Sequence, residues 1–409
     1  MSKVGGALPS WYWPVGIPRR VPVVQQPLGK VLRQRLAAAA DKPAVVRGEV
    51  TLTGTELLEQ VQTVAGGLQA AAFKGPLALL ESDPLESLVL LLACVFAGRQ
   101  LLLPESENHA EQLASRMAEA AVGAILTAGG AEKFEAGTLE TLRKADLKGT
   151  YNQNAGPKRA VEPAVLLPSN RGVVSHSHFS LSAMAASLAA FIPKLREISF
   201  VWSEPVIGSW EALTGILLAL LHGMPIIFTE LDSAAEQWSR RLERNFYLIM
   251  QRHQADAMMA RGSVAPMVAG AEHVFVSTGR FDSRWRKRLE ALCGRPIFTI
   301  WGLPEVGPVV APHPTWLPPH GHGFPLVNVS LIPIDPGSGR VSIVPWEMLE
   351  QAEMGVEALS AMLGYAESAR NAGIKSGTAL RTRQIASMDH VGVVVLQSEE
   401  SAGGGNVAD

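Results

Sequence analysis

Apolar positions recur along the chain at two alternating spacings, and these spacings predict an α/β fold. A helical spacing of apolar residues predicts a helix over 28–40. Short apolar runs at 77–80 and 124–127 are typical of buried strands, and a helical segment at 84–98 lies between them. Because strands and helices alternate at this interval, we predict a parallel, doubly wound sheet.

The alternation continues through the second half of the chain. The predicted strands are 164–167, 198–202, 225–229, 257–259, 273–276 and 296–300, and the predicted helices are 179–191, 210–222, 240–253 and 283–292. The later predicted elements are antiparallel strands at 327–333 and 340–344, a helix at 350–363 and a last strand at 391–396. Residues 129–163 are polar and irregular, so we expect a linker at 151–163.

Two local signals place the beginning of the fold more sharply. Short strand-like segments at 44–46 and 50–52 flank Arg47-Gly48-Glu49, which predicts a short hairpin. Thr53 precedes a helical segment, and Glu56 follows it by three residues. This spacing predicts a capping box, in which each residue binds the backbone N–H of the other.

Composition narrows the function classes. The chain has 409 residues, of which 47% are hydrophobic and 18% charged, and its net charge of −2 argues against general nucleic-acid binding. Its longest apolar run, 88–97, is about half of the roughly 20 residues that a membrane-spanning helix needs. Residues 1–16 lack a signal-peptide pattern, so we expect a cytoplasmic protein without a membrane span. Cys94 and Cys293 are expected to be buried free thiols.

Three segments carry a combined signal. The first is a predicted apolar helix at 88–98 that ends in Gly and is followed by a predicted strand ending at Pro104. The second, which precedes a predicted helix, is Gly172-Val-Val-Ser-His-Ser-His178. The third, which follows a predicted strand, is Ile300-Trp-Gly-Leu-Pro-Glu305. Together with the flanks at 218–228 and 321–335, this ordered set resembles the adenylate-forming superfamily over roughly residues 28–396. That superfamily includes acyl-CoA and aryl-CoA synthetases, luciferases and peptide-synthetase adenylation domains.

The resemblance implies the N-terminal body of an adenylate-forming enzyme, with two doubly wound α/β subdomains and a small β-rich subdomain. The expected divisions are an extended N-terminal arm (1–27), a first α/β subdomain (28–160), a second (161–311), the β-rich subdomain (312–400) and a disordered tail (401–409). The family continues into a mobile lid that carries a catalytic lysine. Lys375 is the last lysine here, so we expect the lid to be absent.

The resemblance also assigns a phosphate loop, which in the family is rich in glycine and ends in Pro-Lys-Gly. Here the interval is Ser169-Asn170-Arg171-Gly172, with almost no glycine run. Ser169 and Asn170 would donate to phosphate, and Arg171 stands where the family has its lysine. The alternative is a tight turn between strand and helix with no role in phosphate binding, and the lost glycines favour it.

Other family positions imply a nucleotide and a metal. Trp301 would lie beside the adenine, Gly279 would line the adenine pocket next to the large Arg280 and Phe281, and Glu305 would be the catalytic residue that binds Mg²⁺. A turn carboxylate is the equal alternative for Glu305. Gln384 stands where the family has the aspartate that binds the ribose, and Arg383 stands where it has glycine.

Three further groups have weaker interpretations. Glu204, Trp210 and Glu211 lie where the family lines its acyl pocket, although a core or capping role is equally consistent. His313, His320 and His322 have a spacing that could suit a metal, but they lie in a loop that the family shares. The basic positions 284 and 286–288 are expected to form a solvated helix face.

Two functions follow from this pattern. The first is an altered carboxylate-activating ligase that uses ATP and Mg²⁺ to join an acyl or aryl carboxylate to CoA or a carrier protein. The second is an inactive relative without a cofactor, which binds an acyl group or serves as a scaffold in a larger assembly. A protein partner would then cover the face without a lid. The shortened phosphate loop favours the second function.

Overall fold

The structure is a computed structural model. It describes residues 17–103, 110–129, 139–192, 199–202, 207–229, 246–262, 264, 268, 270–279, 281–313 and 317–396. The expectations for the arm before residue 17, for the tail at 401–409, and for Glu204 and Arg280 lie outside the described residues.

Eight α-helices occur in the described part of the chain. They are α1 Leu28–Ala38, α2 Gly54–Ala70, α3 Pro84–Ala97, α4 Ala110–Glu119, α5 His178–Ala189, α6 Trp210–His222, α7 Arg252–Arg261 and α8 Ser283–Cys293.

The strands of the first half are β1 Pro43–Arg47, β2 Val50–Thr53, β3 Leu77–Leu79, β4 Leu101–Leu102, β5 Ala124–Thr127, β6 Glu140–Arg143, β7 Pro163–Ser169, β8 Gly172–Ser177, β9 Ser199–Trp202 and β10 Ile226–Phe228. Those of the second half are β11 Phe246–Gln251, β12 His273–Ser277, β13 Ile297–Leu303, β14 Gly307–Ala311, β15 Phe324–Pro325, β16 Val329–Ile334, β17 Ala352–Ala358, β18 Gly364–Tyr365, β19 Lys375–Ser376, β20 Ala379–Met388 and β21 Val394–Leu396.

These strands form three sheets. A seven-stranded sheet has the order β18-β8-β7-β4-β3-β5-β6, and a nine-stranded sheet has the order β15-β14-β13-β12-β11-β9-β10-β1-β2. Both have parallel centres; the nine-stranded sheet is antiparallel at both edges, whereas the seven-stranded sheet is antiparallel at the β18-β8-β7 edge and parallel at β6. A smaller antiparallel sheet runs β16-β17-β20-β19, with β21 beside β20. The predicted α/β class, with two doubly wound units and a small β-rich unit, is therefore confirmed.

The sheets exchange strands across the expected divisions of the chain. The hairpin β1-β2 joins the nine-stranded sheet through the pairing of β1 with β10, while β7 and β8 complete the seven-stranded sheet. Strand β18 lies between elements of the β-rich sheet in sequence, yet it pairs with β8. The boundaries near residues 160 and 311 therefore do not separate the sheets.

Two predicted helices are wrong. Residues 246–251, predicted to lie in a helix, form β11 between β9 and β12, and the strand predicted at 257–259 belongs to α7. A parallel strand buried on both faces is apolar at nearly every position, and such a continuous run also contains the apolar positions that a helical spacing requires. The helix predicted at 350–363 is instead β17, the central partner of β16 and β20. The region predicted as irregular contains β6.

The local signals are confirmed. Thr53 N donates to Glu56 Oε2 at 2.8 Å, and Glu56 N donates to Thr53 Oγ1 at 3.3 Å, which is the predicted capping box. Strands β1 and β2 form the predicted hairpin. The apolar run 88–97 is buried on all sides of α3, inside the main hydrophobic core. Both cysteines are free and buried. In the part of the chain that the structure describes, no helix is long and apolar enough to cross a membrane.

Candidate functional site

The segment that stands for the phosphate loop is a β-hairpin. Ser169 pairs with Gly172 at the end of the β7–β8 ladder, so Asn170 and Arg171 form a two-residue turn. The Ser169 hydroxyl donates to the Gly172 carbonyl at 3.0 Å and accepts from Arg171 N at 3.2 Å. The Ser169 side chain is buried, and its hydroxyl stabilises the turn from inside.

A carboxylate lies against this turn. Glu119 Oε1, on α4, accepts a hydrogen bond from Val173 N at 2.7 Å. An added Cβ at Gly172, whose φ is +144°, would lie 2.5 Å from the same oxygen and 2.8 Å from Arg370 Cδ. Arg370 is 3.5 Å from Glu119 and donates to the Arg171 carbonyl at 2.7 Å. The space beside the hairpin is therefore filled by an internal ion pair.

Arg171 does not extend into open space. Its Nη1 donates to the Arg381 carbonyl at 3.0 Å, and its Nη2 donates to the Thr382 carbonyl, both on β20. A guanidinium has five N–H donors in a planar arrangement, so it can bind two successive carbonyl oxygens. Arg171 thus ties the hairpin to the β-rich sheet.

Glu305 lies in the turn between β13 and β14 and is 3% exposed. The Tyr365 hydroxyl donates to Glu305 Oε1 at 2.8 Å, and the Glu305 carbonyl accepts from Met362 N at 2.8 Å. Burial raises the pKa of Tyr365, the Glu305 carboxylate raises it further, and Arg171 opposes both. Tyr365 is therefore a protonated donor to Glu305.

A buried histidine fixes the same turn. His176 Nε2 lies 2.6 Å from the Pro304 carbonyl, and its Nδ1 lies 3.2 Å from Ser180 Oγ. A carbonyl only accepts, so Nε2 carries the proton and Nδ1 accepts from the hydroxyl. Burial lowers the pKa of His176 to about 4, so the ring is neutral at pH 7. His176 connects the end of β8 with the residue before Glu305.

The two expected adenine-site residues differ in exposure. Trp301 lies on β13, is 3% exposed and belongs to the main core. Gly279 follows β12 and is exposed, and among the described residues other than its chain neighbours no atom lies within 4 Å of an added Cβ. Phe281 packs against His322 at 5.6 Å between ring centroids. The structure thus leaves open space beside Gly279, while Trp301 has a core position.

The acyl-pocket positions are occupied by internal contacts. Glu211 lies in the first turn of α6 and accepts from the Ser277 hydroxyl at 2.6 Å. An added Cβ at Gly302 would lie 2.8 Å from Trp210 Cη2, so the indole packs directly on the β13 backbone. These contacts match the core and capping interpretation of Trp210 and Glu211.

The segment that the resemblance assigns to the ribose contains a left-handed residue and is held by internal contacts. Arg383 has φ of +62°, a left-handed conformation that glycine adopts readily. Arg381 forms a bidentate pair with Glu353, at 3.0 and 2.5 Å, and Glu353 Oε1 also accepts from Arg383 N at 3.2 Å. Gln384 N donates to Thr382 Oγ1 at 3.1 Å. The segment is held by its own side chains.

The histidines with a spacing that could suit a metal, and the basic face of α8, are expected from the sequence to lie in a shared loop and in solvent, respectively. His320 contacts Asp389 at 2.7 Å, whereas His322 is buried beside Phe281. Within the described residues, no group of three His, Cys, Asp or Glu side chains could hold a metal ion. The expected solvated face of α8 is wrong at Arg286, which is 4% exposed, lies over the Phe281 ring and donates to the Pro318 carbonyl at 2.7 Å.

Comparison with known proteins gives a match of fold without a match of sequence. No protein-family model matches the chain, and no curated protein matches it. The o-succinylbenzoate-CoA synthetase MenE from Bacillus subtilis, in complex with ATP and magnesium ion, superposes with a TM-score of 0.79 at 17% identity, over 94% of this chain and 82% of that one. A long-chain-fatty-acid-CoA ligase (FadD1) from Archaeoglobus fulgidus gives 0.80 at 14% identity, over 94% and 86%.

A third structure has nearly the same extent as this chain. The N-terminal subdomain of NpsA from Klebsiella oxytoca, in complex with 3-hydroxyanthranilyl-AMSN, gives a TM-score of 0.75 at 18% identity, over 92% of this chain and 99% of that one. This chain has the fold of the adenylate-forming enzymes. Identity this low establishes the fold alone, so residue roles must come from the site itself.

The nucleotide and metal of adenylate-forming enzymes do not fit this site as it stands. The N–H of Val173 and that of Arg171 are taken by Glu119 and Ser169. The Glu119 carboxylate is paired with Arg116 at 3.2 Å and with Arg370 at 3.5 Å, so a phosphate would have to compete with it for these arginines and for the Val173 N–H. The Arg171 guanidinium binds carbonyl groups, and Glu305 is closed in by Tyr365. The sequence signals named Ser169, Arg171 and Glu305 and included His176 within a motif without a role, but they missed Glu119 and Tyr365, whose contacts come from distant segments.

Proposed function

We propose that this chain is a non-catalytic protein with an adenylate-forming fold, acting as a scaffold or acyl-binding subunit of a larger assembly. The observation that carries the proposal is the Glu119 carboxylate on the hairpin that replaces the phosphate loop. A triphosphate would have to displace this charge, and it would gain few free N–H donors in return. The bonds of Arg171 to β20 support the same conclusion.

Exposed apolar side chains beside the site support a binding role. Leu359 and Leu363 are 46% and 48% exposed, although Met362 N donates to the Glu305 carbonyl and Leu363 N donates to the Ser175 carbonyl. A protein partner over this face would cover both leucines.

The test is calorimetric titration with ATP·Mg²⁺ and with 3-hydroxyanthranilyl-AMSN. The NpsA N-terminal subdomain is the matched positive control, because its structure contains that analogue within the same extent of fold. We expect heat of binding from NpsA and none from this chain. Micromolar binding by this chain, lost in Glu305→Ala, would refute the proposal.

The alternative is an altered ligase that uses ATP and Mg²⁺ and transfers an acyl or aryl group to CoA or a carrier protein. The open space beside Gly279 favours it, since an adenine needs such room. Pyrophosphate exchange over a panel of carboxylic acids tests it. Exchange that depends on one acid and is lost in Glu305→Ala would establish the ligase, and no exchange with any acid would exclude it.

A further inference from the structure

A hollow with a cationic lining lies away from the candidate site. Its volume is about 340 Å³, and its walls are the start of α1, the end of α3 and the loop 151–158. This volume is at the lower end of the range for small-molecule sites, roughly 300–1,000 Å³. None of the residues of the candidate site lines it.

Three cations surround the hollow. Lys30 and Arg33 lie three residues apart on α1, which places them on the same helix face, and Lys158 lies in the loop across from them. Among the described residues, no Asp or Glu lines the hollow, and no carboxylate lies within 4 Å of the charged group of any of the three cations. Glu162 accepts from the Lys158 backbone N–H at 3.2 Å, and the Lys158 ammonium donates to the Asn154 carbonyl at the rim. A concentration of three positive charges is notable in a chain whose net charge is −2.

Neutral donors complete the lining. Tyr151, Gln153 and Asn154 also border the hollow. The Tyr151 hydroxyl is 3.5 Å from the Phe96 carbonyl, and burial raises its pKa, which Arg33 partly opposes. The hydroxyl is therefore protonated; its one O–H donates to the Phe96 carbonyl over this long distance and would turn from it to donate to an anion.

The walls are built before any ligand arrives. An added Cβ at Gly29 would lie 2.9 Å from the Val95 carbonyl oxygen, and one at Gly156 would lie 2.7 Å from that of Phe96. The absence of side chains at both positions lets the backbones meet at the floor. Gln69 holds the loop through two hydrogen bonds with the Asn152 backbone, of 3.0 and 2.9 Å. A preorganised wall lowers the entropy cost of binding.

We propose that this hollow binds a small phosphate monoester, with Lys30, Arg33 and Lys158 around the phosphate and Tyr151, Gln153 and Asn154 as neutral donors. The inference is independent of the function proposed for the nucleotide-like site. A free phosphate ion offers the same chemistry, so the experiment distinguishes the two sources.

The experiment is isothermal titration of the full chain with glycerol 3-phosphate, inorganic phosphate and uncharged glycerol at low salt. We expect the ester to bind and glycerol to give no signal. Tighter binding of inorganic phosphate than of the ester would assign the hollow to the free ion and overturn the ester. No binding of either anion up to about 10 mM would overturn the site.

Charge-neutralising variants separate the hollow from general surface charge. Lys30→Gln and Arg33→Gln should each weaken binding about fivefold, the effect of one unit charge at about 4 Å in water. Arg35→Gln is the matched control, because Arg35 is on the same helix but does not line the hollow. It should change the affinity less than twofold. An equal loss in all three variants would show non-specific attraction and refute the proposal.

Discussion

Three buried histidines should make this fold sensitive to mild acid. Burial lowers the pKa of His176 and of His178 to about 4, and that of His322 to about 3, from an ordinary value of 6.5. Both ring nitrogens of His178 and of His322 are buried and have no hydrogen-bond partner within the part of the chain that the structure describes. Each ring is therefore neutral in the folded chain, and protonation occurs first in the unfolded chain.

Proton linkage gives the direction and the size of the change in folding stability with pH. Each histidine contributes stability that is fully present above pH 6.5 and is lost as the pH falls from 6.5 toward the folded pKa near 4. At pH 5 the folded rings are still neutral, so the loss depends only on the unfolded value. It amounts to about 2 kcal/mol for each histidine, or about 6 kcal/mol for the three. This loss equals between about two fifths and all of a typical free energy of unfolding of about 5–15 kcal/mol.

The assay is urea unfolding at pH 7.5, 6.5, 5.5 and 5.0, for the wild type and for His322→Phe. Phenylalanine preserves a ring against Phe281 but cannot take up a proton. We expect the variant to lose about 4 kcal/mol between pH 7.5 and 5, against about 6 kcal/mol for the wild type. His390→Phe, at an exposed position, controls for the substitution itself. The same pH dependence in His322→Phe and in the wild type would refute the reasoning.

Three other predictions concern single side chains. Arg383→Gly should raise the free energy of unfolding by about 0.5–1 kcal/mol, because it relieves the left-handed φ of +62° at some cost in chain entropy; a lower urea midpoint would contradict this. Glu353→Gln should lower the free energy of unfolding by about 3 kcal/mol, since it leaves the Arg381 guanidinium without its buried carboxylate. Arg159→Gln, at an exposed ion pair, should lower it by less than about 0.5 kcal/mol. Similar losses for the two variants in urea titrations would count against this prediction. Cys94 and Cys293 should react with a thiol reagent only on unfolding, because burial raises the pKa of both thiols, that of Cys293 to about 11; rapid labelling of the native chain would show otherwise.

The fold could be predicted from sequence where a local signal and the tertiary environment agree. The Thr53–Glu56 capping box depends on spacing alone, and it forms as predicted. Residues 246–251 and 352–358 show the opposite case. Each pairs with strands on both sides, and partners distant in sequence decide its conformation. A window along the chain has no access to those partners.

The candidate site shows the same contrast between local signals and contacts that join distant segments. Sequence could name Ser169, Arg171 and Glu305, because their positions within ordered segments are visible. It could not show that Glu119, 54 residues before Val173, would bind the hairpin N–H, or that Arg171 would reach β20, 210 residues away. Because of those contacts, the named residues use their donors and acceptors within the protein instead of offering them to a nucleotide. A residue type at a motif position indicates chemistry only while its donors and acceptors are free.

If the chain is non-catalytic as proposed, restoring single motif residues should not give nucleotide binding, and Arg383 shows why. Its left-handed φ of +62° is a conformation that glycine adopts readily, and the family resemblance places glycine at this position. Strand β20 is held by Arg381 with Glu353 and by Thr382 with the Met354 carbonyl. These bonds need the backbone in place whether or not a ribose binds. Gln384→Asp would therefore add a carboxylate to this fixed backbone, while Glu119 would still occupy the hairpin N–H that the family resemblance assigns to a phosphate.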